Sequence, residues 1–151
     1  MSIVSIETAI HHLRADADDS IDIQHKLNGA QEMAEQYMGR RIYATDVELD
    51  AAIDANAIEM NALDSLRIGA LSGDVNSYAV KTKLERIESQ MYEKLMIARG
   101  IVTNPGIEVA ILLILGTLYE HREDVVIGTS IVRLPQAAEH RLQPYRRIMG
   151  L

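Results

Sequence analysis

Cysteine, tryptophan and phenylalanine are all absent from the 151 residues. Without cysteine there is no disulfide framework, no thiolate zinc site and no cysteine nucleophile, and a reducing cytoplasm is compatible. Without Trp or Phe the core has to be built from Ile, Leu, Val, Met and Ala, a set that favours packed helices. Basic residues are outnumbered, 15 Lys and Arg against 22 Asp and Glu for a net charge of −7. That balance argues against general nucleic-acid binding, which needs a cationic surface to displace counterions from phosphate. No basic segment introduces an early apolar stretch, since Glu7 and His11 come first, and no signal peptide is expected.

The motifs of catalysis are missing as well. There is no Gly-rich loop between a strand and a helix, no Walker-type lysine, no H-E-x-x-H pair and no G-x-S-x-G elbow. A non-enzyme is the expectation. His11 and His12 follow Glu7 at helical spacing, but no Glu is followed three residues later by His, as a helical di-metal carboxylate site requires. The acidic loop Asp16, Asp18, Asp19 and Asp22 lacks the alternation, central Gly and terminal Glu of an EF-hand. No metal or cofactor is expected.

What is present is helical. The stretch Asn104 to Asp124 begins with a capping Asn104 and Pro105, where a missing N–H costs nothing. From Ile107 to Tyr119 its apolar run is broken only by Glu108, Gly116 and Thr117. So apolar a helix must be surrounded. It is well short of the roughly 20 residues that cross a bilayer, and the charged cluster Glu120, His121, Arg122, Glu123 and Asp124 follows at once.

Around this core helix the periodicity predicts others. Residues 5–14 form a short helix capped by Ser5; residues 20–40 form a second, capped by Asp18, Asp19 or Ser20 and closed at Gly39. Its apolar stripe is Ile23, Leu27, Ala30, Ala34 and Tyr37, with Gln24, Gln31, Glu32 and Glu35 opposite. Two longer helices, over 46–70 and to about Ala98, are joined at Ser72-Gly73-Asp74, with Gly73 suited to a left-handed position. Their stripes are Val47, Leu49, Ile53, Ala57, Met60 and Leu63, then Val80, Leu84, Ile87, Met91, Leu95 and Ala98. They make an αα-hairpin. Beyond the core helix, Val125, Val126 and Ile127 either continue it or begin an extended segment, Gly128 to Ser130 is a turn or loop, Ile131 to Arg133 is extended, and a last helix runs from Pro135 or Gln136 to about Gln143. The expected fold class is all-α, a small helical bundle around one buried central helix with an inserted long αα-hairpin, in a single domain over 1–151.

Charge is unevenly spread. Residues 133–151 hold Arg133, Arg141, Arg146 and Arg147 against Glu139, a balance of +3 in a chain of net −7. A basic tail on an acidic body suits docking on something acidic, and equally suits a terminal helix whose arginines answer its dipole and neighbouring carboxylates.

Three segments together resemble the head-tail connector proteins of tailed bacteriophages, also called DNA-packaging or head completion adaptors. His12, Leu13, Arg14 and Asp16 are similar to the ending of the family's opening helix. Ala110, Ile111, Leu112 and Leu113, followed by Leu118, Tyr119, Glu120, His121, Arg122 and Glu123, resemble its most recognisable helix. Leu134-Pro135 and Leu142-x-Pro144-Tyr145-Arg146 match its closing pattern. Residues 44–100 are longer than the family's usual link, so the hairpin is an insertion whose role does not carry over. Gln136, Ala137 and Ala138 stand where the family often has Gly or an aromatic residue.

The resemblance implies a homo-oligomeric ring, twelve-fold, beneath the portal protein at the virion's head-tail interface, assembled in the bacterial host cytoplasm without a membrane. Such a ring extends the DNA channel and passes DNA through its lumen without specific binding. It also offers a surface to the next connector or tail-completion protein. The C-terminal segment is implicated in grasping the portal, which makes Arg141, Arg146 and Arg147 docking candidates with Tyr145 as an aromatic anchor. Deleting residues 140–151 is then expected to spare the fold and abolish attachment. Two other readings compete: a helical DNA-binding or regulatory module using the basic C-terminus, and a metal- or ligand-binding bundle using His11, His12 and the acidic loop.

Overall fold

The computed structural model describes residues 2–120 and 134–147. The fold is all-α, with six α-helices among the described residues and one parallel pair of two-residue strands. The chain divides into two compact units, Met1–Gly39 with Thr103–Leu151, and Arg40–Val102.

The first unit contains α1 (Ile6–Leu13), α2 (Ser20–Met38), α5 (Pro105–Glu120) and α6 (Gln136–Leu142). Ser5 caps α1, its Oγ accepting from Thr8 N at 3.2 Å. Helix α1 closes on Arg14 in the left-handed region, φ 51°, an uncommon conformation for a residue with a side chain. Gly39 closes α2 at φ 66°, where the absence of a Cβ removes the steric cost. Asp19 occupies the N-cap position of α2 but makes no side-chain cap bond. The stripe Ile23, Leu27, Ala30 and Ala34 is buried as its spacing predicts. The buried row ends on Met38, with Tyr37 half-buried beside it. Glu35, expected on the polar face, is buried too, and its Oε1 accepts from Gln31 Nε2 at 3.1 Å.

Helix α5 is the buried central element, packed against α1, α2 and α6. Asn104 Oδ1 caps it, accepting from Gly106 N at 3.0 Å and Ile107 N at 3.1 Å. Its burial is graded rather than uniform. Ile107, Ala110, Ile111, Ile114 and Leu115 are fully enclosed, Leu112 and Leu113 are half-buried, and Val109 is exposed.

The second unit is the inserted hairpin. Helices α3 (Asp46–Leu71) and α4 (Tyr78–Ala98) pack along their length, and strands β1 (Ile42–Tyr43) and β2 (Ile101–Val102) pair in parallel at their base. Thr45 caps α3 by accepting from Glu48 N at 3.2 Å, and the Glu48 carboxylate accepts from Ala44 N at 3.1 Å, a variant of the reciprocal capping box. Arg40 Nε donates to Arg99 O at 2.5 Å and its Nη2 to Gly100 O at 3.1 Å, closing the base of the hairpin.

Three details differ from the sequence expectation. Val47, Ala57 and Ala98 lie outside the contact face and are exposed. Asn56 sits inside that face, 5% exposed, and donates from Nδ2 to Lys94 O at 2.9 Å. Gly73 has no positive φ. The turn is instead closed by Ser77 N on Asp74 O at 2.9 Å and by Asn76 N on Asp74 Oδ1 at 3.0 Å, so the aspartate does the work assigned to glycine.

Candidate docking surface

The C-terminal segment is built on two anchors. Ala138 and Leu142 of α6 are fully buried, so the apolar side of this two-turn helix is committed to the core. A 3-10 turn, Gln143–Tyr145, carries Pro144 where no helical N–H is needed. Beyond it the backbone becomes extended at Arg146, and Arg147 N donates to Met38 O at 2.8 Å, satisfying a carbonyl left over at the end of α2. Tyr145 is half-buried against the start of α5, where a Cβ at Gly106 would lie 3.5 Å from its hydroxyl.

These anchors hold Arg141, Arg146 and Arg147 at fixed points with exposed side chains. The Arg146 guanidinium carbon lies 5.0 Å from the centre of the Tyr37 ring, within cation–π range. Arg141 projects from the last turn of α6, where a cation also answers the helix dipole. The structure therefore brings Tyr145, Arg146 and Arg147 together beside the end of α2. The deletion of 140–151, expected from sequence to spare the fold, takes out buried Leu142 and the Arg147 N–H bond. Single side-chain changes separate docking from stability where truncation does not.

The central motif has a structural task. Tyr119 donates its hydroxyl to Asp19 Oδ2 at 3.1 Å, tying the end of α5 to the approach to α2. Lys26, paired with Asp22 at 2.5 Å, lies 5.9 Å from the Tyr119 ring centre. Ile111 is core, whereas Leu112, Leu113 and Leu118 are half-buried. Arg122 lies outside the described residues, as do His121, Glu123, Asp124 and the 125–133 segment.

The N-terminal motif is spread rather than convergent. His12, Arg14 and Asp16 are exposed and Leu13 is half-buried. The Asp16 backbone carbonyl accepts from Asp19 N at 3.2 Å in the turn leading to α2. An open hollow of about 700 Å³ lies beside α1, lined by Glu7, Ile10, His11, Arg14 and Ala15. Among the described residues, no three His, Asp or Glu side chains converge to hold a metal ion. No helix there is long and apolar enough to cross a membrane.

Sequence reasoning missed two participants. Tyr37, read as a core position, presents its ring to Arg146, and Met38 offers its carbonyl to Arg147. Neither had a sequence signal, because both roles depend on where the C-terminal segment returns. The chain matches no protein-family model, no curated protein and no solved structure.

Proposed function

We propose that this protein is a non-enzymatic head-tail connector of a tailed bacteriophage, a ring-forming adaptor that docks on the portal protein and extends the DNA channel towards the tail. The observation that carries the reading is the form of the C-terminal segment, which bears the connector-like Leu-x-Pro-Tyr-Arg pattern. Its backbone is fixed by Leu142 and by Arg147 N on Met38 O, while Arg141 and Arg147 stay exposed. A pre-set cationic edge with one half-buried aromatic residue suits a specific protein interface, where rigid anchors reduce the entropy lost on docking. The half-buried Leu112 and Leu113 and exposed Val109 on α5 leave apolar surface for a neighbouring copy. A heterologous contact of that kind, repeated with closure, makes a ring.

The acidic balance of the chain suits a lumen along which DNA slides, because such a wall gives phosphate nothing to grip. A DNA-binding role for the tail is less well supported, since α6 has only seven residues. The discriminating experiment reverses charge at Arg141 and Arg147 together. R141E/R147E is expected to keep the wild-type helical signal, to lose no more than about 1 kcal/mol of stability, and to lose co-sedimentation with the portal. Retained co-sedimentation would reject the docking role, and nanomolar, salt-sensitive duplex binding by the wild type would favour the DNA-binding alternative.

A further inference from the structure

Ile21 is 75% exposed in the first turn of α2. A lone exposed isoleucine is ordinary on a protein surface. This one stands between two exposed polar groups, Asp18 in the 3-10 turn Ala17–Asp19 just before the helix and His25 one helical turn after it. Further along the same helix lies a groove of about 600 Å³, lined by Gly29, Met33, Gln36 and Tyr37 of α2 with Leu118 of α5 and Leu134. Met33, Tyr37, Leu118 and Leu134 are all half-buried, so the groove is apolar and open. A Cβ at Gly29 would meet nothing within 4 Å. The chain's own packing therefore gives no reason for glycine at this helix-interior position, where it costs helix stability relative to alanine, and its missing side chain leaves the groove wider.

The two ends of the groove differ in polarity. Glu32 lines it as an exposed acceptor, while at the Tyr37 end the Arg146 guanidinium carbon lies 5.0 Å from the ring centre. The surroundings of Ile21 are the converse, a carboxylate on one side and an imidazole on the other. Knob and groove belong to the same compact unit, but one chain cannot join its own pair. Ile21 and Met33 are about 18 Å apart along the helix and about a third of a turn apart around it. The Ile21 that reaches this groove has to come from another copy.

We infer that the groove receives Ile21 from a second copy of this chain, the start of one α2 seated against the end of the next. Ile21 enters over Met33 and Leu118, the Asp18 carboxylate faces Arg146, and the His25 ring N–H faces the Glu32 carboxylate. Donor and acceptor are thus matched at both ends of an apolar contact. The two surfaces are different patches, so the contact is heterologous. Repeated, it builds a ring where the rotation closes and an open filament where it does not. It rests on the connector reading for that closure, and it identifies what joins neighbours in the ring while Arg141 and Arg147 are left for the portal. A groove of this size belongs with the small, weak interfaces, and closure gives every copy two such contacts.

The test is a mixing experiment on the purified full chain, its mass followed by static light scattering from about 10 µM to about 1 mM. I21D removes the knob and leaves the groove, whereas G29M fills the groove and leaves the knob. Both should fold: Asp suits the first turn of a helix, and Met at 29 points into open space and is a better helix former than Gly, so its melting temperature should equal or exceed that of the wild type. The wild type should grow beyond a dimer as concentration rises. Each variant alone should associate at least about tenfold more weakly. Their equimolar mixture should form dimers and stop there, because each pair retains one intact contact. D18K should weaken wild-type association about threefold. A variant that assembles as the wild type does, a mixture that stays monomeric, or a wild type that is monomeric throughout the range would overturn the contact, and an unchanged D18K would overturn the pairing with Arg146. Rings of I21D or G29M on the portal would overturn the contact and leave the connector reading standing. Wild-type growth with no ring on the portal would do the reverse.

Discussion

The backbone N–H of Arg147 donates to the carbonyl of Met38 at 2.8 Å, so the C-terminal segment closes the far end of α2. Leu142 secures the same segment from inside the core. Leu142→Ala should therefore cost about 2–4 kcal/mol in urea denaturation, as expected for truncating a fully buried leucine. A deletion of 140–151 should destabilise at least as much. Wild-type stability in the deletion variant would show that the segment is a free tail.

The bond from the Tyr119 hydroxyl to Asp19 predicts a smaller effect. Tyr119→Phe keeps the ring and removes the donor, leaving a carboxylate with one partner fewer. A loss of about 1–2 kcal/mol is expected at neutral pH. A change indistinguishable from zero would mean that water replaces the hydroxyl at no cost.

Gly39 offers a test of backbone conformation. Its φ of 66° is open to glycine and strained for a residue with a Cβ. Gly39→Ala should destabilise by about 1 kcal/mol, whereas Arg14→Gly, at φ 51°, should be neutral or slightly stabilising. Thermal melts of the two variants moving in the same direction would contradict this account of the two helix ends.

Asn56 is the polar residue inside the hairpin seam. Its Nδ2 is bonded to Lys94 O, while its Oδ1 is buried without a hydrogen-bond partner. Asn56→Leu is expected to be neutral or stabilising, because it removes a buried acceptor along with the single bond. Asn56→Asp should lose more than about 2 kcal/mol at neutral pH, since it places an uncompensated carboxylate in the seam. Equal stability of the Leu and Asp variants by chemical denaturation would place the side chain in water.

Much of the fold is legible in the chain because it is written in local signals. Ser5, Asn104 and Gly39 mark helix ends by capping chemistry that needs no tertiary context. The stripe of α2 follows from spacing, whereas the graded burial of α5 does not follow from its nearly unbroken apolar run. Where burial depends on the partner, the sequence says less. Nothing about Glu35 or Asn56 distinguishes a buried polar residue from a surface one, and Val47 and Ala57 are as apolar as their neighbours yet miss the contact face. At the candidate docking surface the arginines were visible as charge. The Tyr37 ring and the Met38 carbonyl that meet them were not, since residues about 110 apart are brought together only by the return of the chain.

The connector reading meets its most direct test in electron microscopy of the purified protein mixed with the portal protein of the same phage. Closed rings of this protein seated coaxially on the portal, twelve-fold in rotational averages, are expected. A protein that forms no ring and leaves the portal bare under these conditions would contradict the account.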